Sequence, residues 1–215
     1  MCVWIFSFAS DKRTVCKSAL RKTPPRTIGT VQVGLCREGS VFEEMDEVIS
    51  SERTEHIRLA NTSDLPRILH IYEKARAFMS ANGNPGQWAG GYPDSHLIAE
   101  DIVNKNCYVL IEKDTVVAVF SFCIGEEPTY KEISGGTWHH DGPYGTIHRL
   151  ASDGTVRGTA QICFFFCASL YPYLRIDTHR NNVFMQRAIE KFGFRCCGSI
   201  EVRGSERMAY DYSAQ

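Results

Sequence analysis

The chain has little of what would place it in a function class at once. It has no apolar run near the roughly 20 residues needed to span a bilayer, so no membrane role is expected. It has no charge excess. A formal net charge of -1 excludes a whole-chain attraction to nucleic acid or another polyanion. No basic region precedes the apolar opening "MCVWIFSFAS", and no clear small-residue cleavage site follows it, which argues against a secretory signal. No CxxC pair stands among its nine cysteines.

What is present suits a globular protein, with 43% hydrophobic and 23% charged residues. The 215 residues allow one domain and an extension. The cysteines, at positions 2, 16, 36, 107, 123, 163, 167, 196 and 197, are odd in number and read as reduced thiols of a cytoplasmic protein. Adjacent Cys196 and Cys197 on a strand point to opposite faces and do not readily share a metal. A zinc site from these cysteines with His139 and His140 is weighed and set aside, so no metal ligand is expected. His139 and His140 read as a solvated loop pair.

Charge is uneven along the chain. Residues 1–37 hold seven Lys or Arg and one acid, and residues 38–55 hold seven acids and one base. Residues 1–54 are expected to be a flexible or misassigned extension, with Met45 an alternative start. A basic, acid-poor transit peptide is the other reading of residues 1–37. Residues 55–215 are expected to form the domain.

"HIRLAN" alternates as a first strand. In "TSDLPRILHIYEKARAFM", Thr62 or Ser63 can cap a helix whose buried face is Leu65, Ile68, Tyr72, Ala75 and Met79. "ANGNPGQWAGGYP" is a glycine-rich loop, and "DSHLIAEDIVNKN" a second short helix. "CYVLIE" and "TVVAVFSFCI" form a hairpin about Lys113-Asp114. A long polar loop follows, then the strand "YGTIHRLAS". Helix, strand, helix and a last hairpin complete the order. This mixed order indicates an α/β (α+β) sheet with helices on both faces.

"DGTVRGTAQICFFFCASLYPYLRIDTHRNNVFMQRAIEKFGF" opens on a turn feeding a helix. The helix N-terminus there offers unpaired N–H groups and a positive dipole end, a ready phosphate site. Gly158 admits close backbone approach and Arg157 adds charge. "CFFFCASLY" reads as core packing.

Residues 56–212 resemble the GCN5-related N-acetyltransferase (GNAT) superfamily. The resemblance rests on the turn beginning at Arg157, on Asn182 capping the next helix, and on the ending Lys191, Gly193, Phe194. It implies a mixed, mostly antiparallel central sheet and a splayed parallel strand pair near 145–152 and 174–178. It implies acetyl-CoA as co-substrate, with pantetheine along Leu150, Ala151 and Ser152. Pyrophosphate would lie on the turn of Arg157, Gly158, Thr159, Ala160, Gln161 and Ile162, with Asn182 nearby. The sequence departs from the family's glycines at Ala160 and Ile162, and from its usual tyrosine at Ile189.

Acetyl transfer to an amine needs a proton acceptor. The family's strand Glu is missing. His148 is the group suited to that work near neutral pH, and Glu126 and Glu127 are candidates for base or ammonium clamp. Trp88, Tyr92, Trp138 and Tyr144 are candidates to bound an acceptor or meet its charge by cation–π contact. Trp88 alternatively plugs its loop onto the core. The expected function is transfer of acetyl from acetyl-CoA to a primary amine, on a small molecule or a peptide, by direct attack in a ternary complex. A non-catalytic acyl-CoA-binding module and a Cys/His metal protein are the alternatives. The acceptor and the oligomeric state, a homodimer included, are left open.

Overall fold

A computed structural model describes residues 53–214. The expected extension, with Met45 and the basic stretch 1–37, lies outside the described residues. Of residues 1–54 only Arg53 and Thr54 are described, and they open a 3-10 turn, Arg53–His56.

The element order is β1 (Ile57–Leu59), α1 (Leu65–Ala81), α2 (Ser95–Val103), β2 (Cys107–Glu112), β3 (Thr115–Ile124) and β4 (Gly145–Ser152). It continues with α3 (Thr159–Leu170), β5 (Tyr173–Thr178), α4 (Val183–Phe192), β6 (Arg195–Val202) and β7 (Ser205–Ser213). The described strands form one sheet in the order β1-β2-β3-β4-β5-β7-β6. Every pairing is antiparallel except β4 with β5.

Local signals explain most elements. In α1 the buried residues Ile68, Ile71, Tyr72, Ala75 and Met79 recur at helical spacing, and Pro66 sits in the first turn, where it removes no bond. The residue at the helix N-cap is Asp64 and not Thr62 or Ser63, and its side chain makes no capping bond to α1. A 3-10 turn, Thr62–Asp64, precedes the helix. Asn61 Oδ1 accepts the Ser63 N–H at 3.0 Å, and Asp64 Oδ2 accepts the Asn61 N–H at 2.8 Å. In the β2–β3 hairpin Lys113 and Asp114 have φ of 47° and 62°, the left-handed pair that matches strand twist. Helix α4 starts at Asn182, whose side chain accepts the Met185 N–H at 3.3 Å, and stops at left-handed Gly193.

Helices cover both faces of the sheet. One core joins α1 and α2 to Val109, Val119 and Ala151. The other joins α3 and α4 to Ala118, Phe120, Ile147, Leu150 and Ile176. In α3 the buried Cys163, Phe164 and Cys167 serve this second core. Burying a Phe of this kind contributes about 1.5–3 kcal/mol.

One irregularity shapes the middle of the sheet. Val119 faces Ala151 and Ser121 faces His148, so Arg149 and Leu150 together oppose Phe120. This is a β-bulge, with Arg149 left-handed at φ 54°. Contacts from the helices hold that backbone. The Arg149 guanidinium donates to buried Asp101 on α2 at 2.5 Å, and its carbonyl accepts the Tyr72 hydroxyl of α1 at 3.0 Å. A bulge bends its strand. β4 pairs with β5 only at Gly145, Thr146 and Ile147, and the two strands then part. Among the described residues no helix is long and apolar enough to cross a membrane.

Candidate active site

The parting of β4 from β5 leaves Leu150, Ala151 and Ser152 without β5 as a neighbour. All three are buried, and β3 holds Ala151 and Ser152 from the other side. The buried hydroxyls of Ser152 and Thr178, one on each of the parted strands, have no hydrogen-bond partner. Such orphans are rare in folded proteins and suit a polar chain laid between the strands.

Beyond Ser152 the chain turns into α3. Asp153 Oδ1 accepts the Thr155 N–H at 3.0 Å and its hydroxyl at 2.6 Å, and the other Asp153 oxygen pairs with Arg67 of α1. Gly158 precedes the helix at φ 74°, where a Cβ would meet nothing within 4 Å. No side chain of Gly158 caps α3, so the first N–H groups of the helix keep their dipole end open. Thr159, Ala160 and Ile162 are buried, and Thr159 Oγ1 donates to Val156, so these residues offer backbone rather than side chain here. Gln161 reaches across to the Ala188 carbonyl at 3.3 Å. Asn182 lies in the α4 cap and donates to Gln87 at 3.2 Å.

A groove of about 590 Å³ opens at this turn. Arg53, Arg67, Lys113 and Arg157 line it. Of these, sequence reasoning singled out Arg157 only. The others come from the first turn, from α1 and from a hairpin tip, and no local motif marks them. Glu112 and Asp153 line the groove as well, Asp153 paired with Arg67, so the lining carries four cations against two acids and its balance is positive, as a phosphate ligand would require.

The acid–base candidates separate into a pair and an outlier. His148 Nε2 lies 3.2 Å from Glu127 Oε2. Burial pulls the imidazole below its ordinary value, and the carboxylate offsets this only in part. Glu127 is held at about 2, chiefly by the bond to His148. The pair is therefore a neutral imidazole beside an ionised carboxylate, and the carboxylate partner assigns the ring proton to Nε2. Glu127 is itself fixed. Its N–H donates to Tyr144 at 2.9 Å, and its Oε1 accepts from the Thr129 N–H at 3.2 Å and hydroxyl at 2.9 Å. Glu126 is exposed and lies 3.4 Å from Lys131.

The four aromatic candidates have partners within the chain. Trp88 is 2% exposed and packs edge-on to Tyr72 and Tyr92. That is the packing plug and not an open wall. The Arg203 guanidinium covers Tyr92 at 3.9 Å. Arg175 lies 4.0 Å from the Trp138 ring centre and 3.9 Å from that of Tyr144. The expectation that these ring faces meet an acceptor's charge is thus modified. The faces of Tyr92, Trp138 and Tyr144 that carry cation–π contact carry the chain's own arginines. Tyr130, not foreseen from sequence, organises the wall. It stacks on Trp138 and Tyr144, stands edge-on to His148, and donates to Asp177 at 2.8 Å.

A mixed seven-stranded sheet, a bulged strand parting from its parallel neighbour, and a glycine turn into a helix at the parting define a fold class shared with solved acetyltransferases. An acetyltransferase of the GNAT family from Streptococcus agalactiae 2603 is 33% identical, at TM-score 0.70, over 74% of this chain and 95% of its own. An acetyltransferase from Staphylococcus aureus Mu50 is 25% identical, at TM-score 0.57, over 74% and 99%. A GNAT-family acetyltransferase from Listeria monocytogenes 4b F2365, 14% identical at TM-score 0.56 over 73% and 93%, shares the fold. No family model and no curated protein matches the sequence. The chain belongs to the GNAT family of acetyltransferases.

Proposed function

We propose that the protein is an acetyl-CoA-dependent N-acetyltransferase that moves an acetyl group to a primary amine by direct attack in a ternary complex. The observation that carries this reading is the position of His148. It is the first residue of β4 past the last one paired with β5, and its half-buried ring lies against an ionised carboxylate.

The chain's residues fit the co-substrate. The groove cations and the α3 N-terminus suit its phosphates, and the parted strands with the Ser152 and Thr178 hydroxyls suit its amide-bearing arm. Bound there, it supplies an acyl thioester. His148 takes the proton of the acceptor ammonium, and Glu127 stabilises the imidazolium that results. No tyrosine stands at the family's acid position, where Ile189 is buried in the core. A free thiol ionises near pH 8.5, so a thiolate leaves at neutral pH without a dedicated acid, to within about two units. The acceptor, a small-molecule or peptide amine, enters past Tyr130, Trp138 and the Glu127 loop. Cytoplasmic residence is part of the proposal, supported by Cys107, Cys163 and Cys167 lying as thiols within the apolar cores.

The test is thiol release from acetyl-CoA with a panel of primary amines. Release that depends on the amine and on His148 is the expected result. Tight acetyl-CoA binding with no release across the panel would favour a non-catalytic acyl-CoA-binding module.

A further inference from the structure

On the sheet face that carries His148, but from a different set of strands, three groups with metal-ligand chemistry converge. They are His139 of the loop before β4, Cys197 of β6 and Asp211 of β7. One ligand atom from each lies within 4.8 Å of the others. His139 Nδ1 is 2.8 Å from Asp211 Oδ1 and 3.3 Å from Cys197 Sγ. The three residues are far apart in sequence, so the cluster is a product of tertiary folding.

The backbone aims each group. Cys196 faces Tyr210 and Gly198 faces Ala209, so Cys197 is the extra residue of a bulge in β6. A bulge re-aims a side chain. Cys197 is buried while its neighbour Cys196 is exposed. The loop is fastened to the same bulge. Ser134 and Ser199 exchange two backbone hydrogen bonds of 2.8 Å. A Cβ on Gly136 would come within 2.2 Å of the Cys197 carbonyl oxygen, and one on Gly198 within 2.5 Å of the Ser134 oxygen. Only glycine permits that approach, and it brings His139 over Cys197.

Asp211 is oriented as a ligand carboxylate would be. Its Oδ2 accepts the Tyr173 hydroxyl at 2.9 Å and the His139 N–H at 2.8 Å, which turns Oδ1 toward the imidazole and the thiol. Partners of this kind fix a ligand's direction in known metal sites. Arg175, opposite Asp211 on β5, donates its Nε to the Tyr173 hydroxyl at 3.3 Å, and its guanidinium lies against the rings of Trp138 and Tyr144.

We propose that His139, Cys197 and Asp211 bind a zinc ion that clamps the 131–143 loop onto β6 and β7. Thiolate, imidazole and carboxylate together select a borderline-soft ion of tetrahedral habit over magnesium or calcium. Metal bonds of about 2.0–2.3 Å at tetrahedral angles set neighbouring ligand atoms about 3.4–3.6 Å apart. A swing of His139 outward by about half an ångström brings its spacings of 2.8 Å and 3.3 Å into that range, and the Cys197–Asp211 pair, within 4.8 Å, draws in as the thiolate turns onto the ion. The ring is free to swing, being 36% exposed on a loop, and that exposure is also the entry path and the side for a fourth, water ligand. The clamp lies one residue from Trp138, so it steadies the wall beside His148.

The test uses the full chain, freed of metal by a chelator and of any affinity tag. Cobalt(II) is titrated in as the spectroscopic probe, and zinc affinity is read by competition with a chromophoric chelator. The expected result is one equivalent of cobalt with thiolate-to-metal charge transfer and tetrahedral d–d bands, and a melting temperature raised by zinc. Cys197→Ala abolishes the thiolate band, and Cys196→Ser retains it. His139→Ala, an exposed loop change that leaves the core intact, lowers zinc affinity about a hundredfold or more, the upper end of what even supporting-residue changes cost. A wild-type protein with no thiolate–cobalt band at excess metal overturns the proposal. So does a band that survives Cys197→Ala, and so does wild-type zinc affinity in His139→Ala.

Discussion

If His148 and Glu127 act as one proton-accepting unit, removing either should be felt in turnover, and removing both should cost little more than removing the imidazole. His148→Ala is expected to lower kcat by about a hundredfold or more, the usual scale for a general base. Glu127→Gln keeps an oxygen for Thr129 but loses the charge that stabilises the imidazolium. A hydrogen bond to a charged group is worth about 1.5–3 kcal/mol. Glu127 is a quarter exposed, so the lower part of that range applies, about a tenfold to thirtyfold loss. The double variant should match His148→Ala, because groups acting as a unit are not additive. Acetyl-CoA affinity should be retained in all three. The pH–rate profile offers an independent reading. Burial lowers the His148 pKa, so the acid limb of kcat/KM should lie below the free imidazole value of about 6.5. It should move lower still in Glu127→Gln, since the carboxylate is what raises it. Steady-state kinetics on variants shown by circular dichroism to be folded would decide the matter. Near-normal turnover in His148→Ala, or losses that simply multiply in the double variant, would refute the paired role.

Gly158→Asp should weaken acetyl-CoA binding at least about tenfold by calorimetry, through left-handed backbone strain of about 1–2 kcal/mol and a like charge beside the phosphates. Gly158→Ala, which adds the strain without the charge, should cost less. Arg149→Ala strands Asp101 as a buried charge, a loss of about 3–5 kcal/mol, and should lower Tm by roughly 6–20 °C in scanning calorimetry. Stability should fall on acidification. The lowered His148 pKa means that the unfolded chain binds its proton first, so stability is lost as pH drops below about 6.5. The lowered Glu127 pKa adds stability that is full above about 4.3 and is lost as pH falls toward about 2. His148→Ala should therefore show a shallower decline of Tm with falling pH.

Features with a local cause were legible in the sequence. The Lys113-Asp114 turn, the glycine before α3, the Asn182 cap and the Gly193 stop each depend on neighbours within a few residues, and each stands where the sequence pointed. The α1 cap was misplaced, because Thr62 and Ser63 are good caps by residue type but lie within a 3-10 turn that Asn61 caps, which leaves Asp64 at the helix start. The chemistry was legible as a list and not as an arrangement. His148 and Glu127 were both named, yet their pairing depends on a 3-10 turn at Pro128–Tyr130 folding the loop back on β4. The bulge at Arg149 was not visible, since a left-handed arginine has no sequence signature and is held by Tyr72 and Asp101 from two helices.

That bulge gives the sheet an edge in its own interior. Exposed sheet edges invite other chains, and proteins usually shield them at the rim. Here the open ladder lies mid-sheet, roofed by helices, and its length is set by residues on the opposite face. A guest reading this edge is recognised by backbone groups, as an added strand would be. Substitutions of similar size at Leu150 or Ala151 leave those groups in place. Changes at Tyr72, Asp101 or Arg149, which no guest touches, would let β4 straighten and close onto β5. The tolerance of this protein to mutation should therefore be inverted at its centre: permissive along the groove and strict behind it.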